Sequence, residues 1–422
     1  MRNKILLRGS LGLTALALAA AACGTSTGGS ASGGSSHSAS PSGGMSSMTT
    51  PGTNGTVTTT ASAKLYAGLD QLLTEHVDLT ANVVQTAISS GPSSAQTKAA
   101  LAALDQNTVG LGKAIGSVYG TAAQQKFLKL WRAHIGFFVD YTLGVAGHDQ
   151  AKVMKAKKDL AGYISQFSAF IAGATKLPRP AVAADLQGHV STLETAINAI
   201  VAKSPQAGQK IEMAAMHMGG TAQVLAKGIV ASKDISGKVA GAGSSLRASL
   251  TGLLVQHVAA TAFVVQTAVA AKGNLSNPEV KGAVAALSSN TNQLGDAIGS
   301  VYGPAAQATF LKQWRAHIGF FVDYTLGVAG HDQAKVMKAK KDLAGYISQF
   351  SAFIAGATKL PQSAVAADLQ GHVSTLETTI NAIVAGSPSA SGKLLAAEDH
   401  MAGTGAVLAQ GIASSKPAMF AS

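Results

Sequence analysis

A long internal duplication constrains this chain of 422 residues more than any other feature. Residues 131–178 recur letter for letter as residues 314–361, and both copies begin WRAHIGFFVDYTLG. The similarity continues on both sides, so that residues of roughly 62–232 recur as roughly 246–416. The sequence therefore predicts one module written twice. Each copy has about 170 residues, which is enough to bury a core of its own.

Each copy has the apolar period of α-helices, and no strand pattern of useful length occurs. In the first copy we expect six helices, over about 63–89, 95–117, 121–145, 149–173, 181–202 and 207–231. Turn and capping residues separate them, and connections this short favour antiparallel neighbours. We predict an all-α fold of two tandem antiparallel helical-bundle modules, residues 62–232 and 246–416, joined by a linker at 233–245.

The first residues have the pattern of a secretory signal peptide, because a short basic patch precedes an apolar run at residues 11–22. That run is too short for a spanning helix of about 20 residues. It ends at Cys23, the only cysteine, and the segment Ala20–Gly24 resembles the lipobox of bacterial lipoproteins, in which the cysteine is diacylated. The resemblance implies a protein anchored by lipid to the extracytoplasmic face of the cell membrane. The alternative is a plain secreted protein.

Residues 23–61 contain mostly Gly, Ser and Thr and almost nothing apolar. Such a segment cannot bury enough surface to offset its chain entropy, and it predicts a disordered tether.

Ten of the eleven histidines form five pairs that match between the two copies. One pair, His148 and His331, sits in a Gly-His-Asp turn where capping is a sufficient role. The others fall on or beside the apolar stripes, near mid-height of their helices, where side chains of an antiparallel bundle meet in one layer. The candidate metal ligands are therefore His76, His134, His189 and His217 in the first copy and His257, His317, His372 and His400 in the second.

Neutral imidazoles in one layer suit copper, zinc or haem iron. Three methionines beside His217 favour copper, although the second copy keeps only Met401 next to its histidine. The structural alternative is that each buried histidine simply donates to a neighbouring carbonyl or hydroxyl. Carboxylates near these histidines, such as Asp140, Asp185 and Glu194, could orient the ligands or could simply be solvated.

The formal net charge of +12 includes four lysines on the fourth helix of each copy, which predict an outward basic face. On an exported protein this face would meet anionic lipids or envelope polymers rather than nucleic acid. A structural or adhesive envelope module is accordingly the second functional hypothesis. We find no convincing nucleophile–base or carboxylate pair, and the sequence does not predict an enzyme.

The segment LWRAHIGFFVDYTLG, with the LxxHV and HM helices around it, resembles a set of secreted bacterial helical-repeat proteins, some labelled copper-amine-oxidase-like. The resemblance covers both copies but not the leader or the tether. The oxidase chemistry does not transfer, because that enzyme family needs a tyrosine within an Asn-Tyr-Asp/Glu motif and this chain has no Asn-Tyr pair. What the resemblance implies is a connection with copper.

Overall fold

The computed structural model describes residues 57–420. The predicted signal peptide, Cys23 and the tether up to residue 56 lie outside these residues. Among the described residues, the side chain of Thr58, which precedes the first predicted helix, is buried.

The described residues contain thirteen helices and no strand, which confirms the all-α prediction. The six helices of the first half, α1–α6, begin and end within two residues of their predicted limits. Their bounds are α1 Ala61–Ser90, α2 Ala95–Tyr119, α3 Thr121–Ala146, α4 Gln150–Thr175, α5 Arg179–Val201 and α6 Ala207–Lys233. The second half repeats the order with α7 Ala242–Ala270, α8 Pro278–Tyr302, α9 Pro304–Ala329, α10 Gln333–Thr358, α11 Gln362–Val384 and α12 Ala390–Ser415, followed by the single turn α13 Pro417–Phe420.

Local chemistry sets these helix limits. The side chains of Thr60, Ser94 and Asp149 each accept a hydrogen bond from a backbone N–H in the first turn of the helix that follows. Helices α1 and α2 end at Gly91 and Gly120, whose φ angles of +93° and +84° are ones that a glycine adopts without strain. The connections are short enough that consecutive helices pack against each other.

In each half the six helices close into a ring, because the last helix packs on the first. Helices α1, α3 and α5 also contact one another, and so do α7, α9 and α11. The odd-numbered helices therefore bring their apolar faces together at the centre of each half.

The two halves pack on each other along α1 and α7, and α6 lies on α8 as α12 lies on α2. Hydrogen bonds cross this interface: the Asn82 side chain donates to Ser391 Oγ over 2.8 Å and accepts from Gln266 over 2.7 Å. One helix of the described part, α7, is long and apolar enough to cross a membrane, but 78 % of its most apolar window is buried inside the protein. Its position between the two halves accounts for that composition.

The same interface buries carboxyl groups without basic partners nearby. Burial raises the pKa of Glu75 and that of Asp78 to about 8. The pKa of Glu398 on α12 is raised well above its ordinary value by burial and then by the charges of Asp78 and Glu75. These groups hold protons that the unfolded chain releases above about pH 4, so they stabilise the fold at low pH and lose this effect as the pH rises toward 8.

Because the halves pack closely at Gly282, one methyl group added there should lower the stability of the protein. A Cβ at Gly282 of α8 would overlap the carbonyl oxygen of Pro205, which belongs to the backbone and cannot turn aside. We expect Gly282→Ala to lower the free energy of unfolding by about 1–3 kcal/mol. Gly345→Ala is the matched control, because nothing lies within 4 Å of a Cβ there and alanine favours the helix. Urea denaturation of both variants tests this; equal stabilities would mean that the halves do not pack as described.

Candidate metal centre

Three histidines from three helices meet at the centre of the first half. His76 comes from α1, His134 from α3 and His189 from α5, and one ring nitrogen from each lies within 4.8 Å of the other two. The Nε2 atoms of His76 and His134 are 3.3 Å apart. The second half builds the same triad from His257, His317 and His372, with 3.4 Å between the Nε2 atoms of His257 and His317.

In each triad one of these separations, that between two Nε2 atoms, is that of metal ligands. Two imidazole nitrogens bound tetrahedrally at about 2.0–2.1 Å from one ion are about 3.3–3.4 Å from each other. The described structure therefore contains two buried histidine triads that could each hold a metal ion.

Aromatic side chains enclose each triad. The Trp131 ring lies 4.8 Å from that of His76 and 4.6 Å from that of His134, and Tyr163 stacks on His134 at 4.7 Å. Phe138 meets His134 and His189 edge-on. The sequence pattern alone did not connect Trp131 or Tyr163 with the histidines. The spacing of three residues from Trp131 to His134, one helical turn, is a signal that could have done so.

The imidazoles of the triads are fully buried, with exposed fractions of 2 % or less. Burial, and then the neighbouring histidine charges, lower the pKa of His76 and that of His134 well below 6.5. Burial and then the charge of His217 lower the pKa of His189 to about 3, and burial lowers that of His257 to about 3. At neutral pH the triads are therefore uncharged, which is the state in which imidazole binds metals.

Within residues 57–420, His189 and its counterpart His372 have no hydrogen-bond partner on either ring nitrogen. Nδ1 of His76 and that of His257 also lack partners. A buried polar group left without a partner costs about 1–3 kcal/mol. The structural alternative, in which each histidine donates to a nearby carbonyl or hydroxyl, therefore fails for His189. The nearby hydroxyl of Thr192 donates to the carbonyls of Gly188 and His189 and not to the ring of His189.

The fourth predicted ligand of each half does not join the triad. Nε2 of His217 lies 3.0 Å from the backbone carbonyl oxygen of Asp185, and Nε2 of His400 lies 3.1 Å from that of Asp368. Both side chains are partly exposed, at 26 % and 24 %. The side chain of His217 points from α6 at the main chain of α5 and not into the core of the bundle. The expected layer of four histidines is therefore a layer of three.

The charged groups near the triads have other partners. Asp140 pairs with Lys152 at 3.7 Å and Glu194 with Lys157 at 2.9 Å, while the Asp185 carboxylate accepts from Thr221. Lys155 pairs with Asp159. The predicted basic face of α4 is consequently interleaved with carboxylates. His148 lies in an exposed turn with a φ of +54°, before the helix-capping Asp149.

Comparison with known proteins adds no identity: no protein-family model, no curated protein and no solved structure matches the chain.

The pKa of His189 predicts a dependence of stability on pH. Its imidazole stabilises the fold fully above pH 6.5, where the unfolded chain is also neutral, and this effect is lost as the pH falls toward 3. In metal-free buffer, the free energy of unfolding of His189→Leu relative to that of the parent protein should therefore rise by about 2 kcal/mol between pH 7.5 and pH 5. Each pH unit below 6.5 contributes about 1.4 kcal/mol.

Because the buried carboxyl groups act in the opposite sense, the effect is read as the difference between variants in urea denaturation at the two pH values. The exposed His148→Asn serves as the control and should show no such difference. A difference between His189→Leu and the parent that does not change with pH would contradict the assignment of a neutral, buried His189.

Proposed function

We propose that this protein binds one metal ion in each half, copper in preference to zinc, and that it does so outside the cytoplasm on a lipid anchor. The observation that carries the proposal is the convergence of three neutral, buried imidazoles, two of which have metal-ligand spacing, in each half. An alternative, purely structural explanation is a hydrogen bond between two of the three rings. That explanation leaves His189 and His372 without a partner, whereas a metal ion engages all three rings.

The donor set supports copper. Three imidazoles and no carboxylate form a site of borderline softness, and among divalent ions of the first transition row copper binds nitrogen ligands most tightly. A three-ligand site without nearby charge also suits a monovalent ion, whose desolvation costs less than that of a divalent ion. Zinc would require a fourth ligand to complete its tetrahedron.

The geometry favours a bare ion over haem. The ring centroids of His76 and His189 are 5.8 Å apart and those of His134 and His189 are 6.2 Å apart, with Trp131 and Tyr163 packed against them. A porphyrin plane between two of these rings would overlap the third.

The proposed location rests on the sequence of the leader, with its basic patch, short apolar run and lipobox-like Cys23. Two acyl chains suffice for stable anchoring where one does not. An exported protein with buried copper sites could store or buffer the ion at the cell surface. The competing hypothesis of an adhesive envelope module loses support from the lysine–carboxylate pairs of α4, because a face of mixed charge attracts anionic polymers weakly.

Metal stoichiometry tests the proposal. The protein expressed without its leader, stripped with a chelator and reloaded, should retain two copper ions per chain after desalting. His189→Leu and His372→Leu should each retain one and the double variant none, because leucine fills the site without ligating. The exposed pair His148→Asn and His331→Asn should keep both ions.

Metal should also raise the free energy of unfolding of the parent protein, by about 2.7 kcal/mol at a free concentration one hundred times the Kd. Folded variants that retain as much copper as the parent would show that the ion is held elsewhere, and a parent protein that retains none would overturn the function.

A further inference from the structure

Two exposed methionines precede His217 on helix α6. Met213 is 49 % exposed and Met216 is 53 % exposed, which places them among the few large apolar side chains that the described structure leaves in solvent. Met213 is three residues from Met216 and four from His217, so it lies on the same helix face as both, whereas Met216 and His217 are adjacent in the chain. The surface of α6 thus presents Met213 between a second thioether and one imidazole.

The imidazole of His217 is held in a ligand-ready state. Its Nε2 lies 3.0 Å from the carbonyl oxygen of Asp185, which can only accept, so Nε2 carries the hydrogen and donates it. Nδ1 is then the nitrogen with a free lone pair. An outward N–H donated to a carbonyl is the arrangement that orients histidine ligands in metal sites.

The ring of His217 also touches the main chain that leads to the triad. A Cβ at Gly188 would lie 2.6 Å from Cε1 of His217, so the ring rests directly on α5 beside His189. Among the described residues no group hydrogen-bonds either ring nitrogen of His189, so neither nitrogen is committed to a protein partner. The exposed fraction falls from 49 % and 53 % at the two methionines to 26 % at His217 and 2 % at His189.

We propose that Met213, Met216 and His217 form an entry site that captures Cu(I) at the surface and passes it, by exchange of ligands and without redox change, to the first-half triad through His189. Thioether sulfur and imidazole together select a soft monovalent ion. This inference rests on the proposed function, because an entry site needs the buried destination.

The second half supplies an internal comparison. At the positions that match Met213 and Met216 it has Ala396 and Asp399, while His400 keeps the same contact with a backbone carbonyl, that of Asp368, at 3.1 Å. The duplicated cores are alike, but only the first half has the soft ligands at the surface. Loading of the two triads by Cu(I) should therefore differ in rate rather than in geometry.

The chain provides a reporter for each triad, because its two tryptophans, Trp131 and Trp314, each lie 4.8 Å from a triad histidine. In Trp314→Phe, quenching of fluorescence reports copper in the first triad alone, and in Trp131→Phe it reports the second. We would mix each protein anaerobically with Cu(I) and follow quenching by stopped flow, with and without the paired change Met213→Leu and Met216→Leu. Leucine keeps the volume of methionine and removes the sulfur.

Loss of the methionines should slow quenching of Trp131 by about tenfold or more and leave the final extent unchanged, since the thioethers take part in capture and not in the final site. Quenching of Trp314 should not change. Equal rates for Trp131 with and without the methionines, at full copper occupancy, would overturn the entry site and leave the proposed function standing. Absence of quenching and of bound copper in the parent protein would overturn both.

Discussion

The structure depends on the burial of three imidazoles where three helices converge in an otherwise apolar core. Histidine is neither large nor apolar enough to be the best filler of such a space, and His189 has no hydrogen bond to offset the loss of water. Trp131 and Tyr163 nonetheless pack tightly around the rings, and the arrangement is present twice. A core that places polar groups so close together and uncharged is one in which a metal ion could be held.

Duplication produced two such cores, and the interface between them is where the halves differ. Glu75 of α1 and Glu398 of α12 have Gln256 and Ala215 as counterparts, so each of these two buried carboxyl groups is present in one half only. Proton uptake at this interface and proton exclusion at the triads act on stability with opposite signs. The protein is therefore expected to be most stable in a window of pH between these two effects, where the triads are already neutral and available to a metal.

Much of this architecture could be predicted from the sequence because helices are local. Capping residues such as Ser94 and Asp149 fixed the helix limits, and the apolar stripes with mid-height histidines fixed the layer in which the triad forms. Two features were beyond local patterns. The rotation of α6 that turns His217 onto Gly188 depends on its packing, and the contact of α1 with α7 joins residues far apart in the chain. The leader and Cys23 lie outside the described residues, and their role stays a prediction from the sequence.

The most direct test of the metal site is X-ray absorption at the copper edge of protein loaded with one ion per half. We expect three imidazole nitrogens at about 2.0 Å from copper, with the outer-shell scattering that imidazole rings produce. No sulfur should be bound to copper once loading is complete. The same spectrum should be obtained from His189→Leu for the single ion that remains in the second half. A first shell of oxygen, or one in which imidazole is absent, would contradict the central claim and would make the triads an unusual but purely structural core.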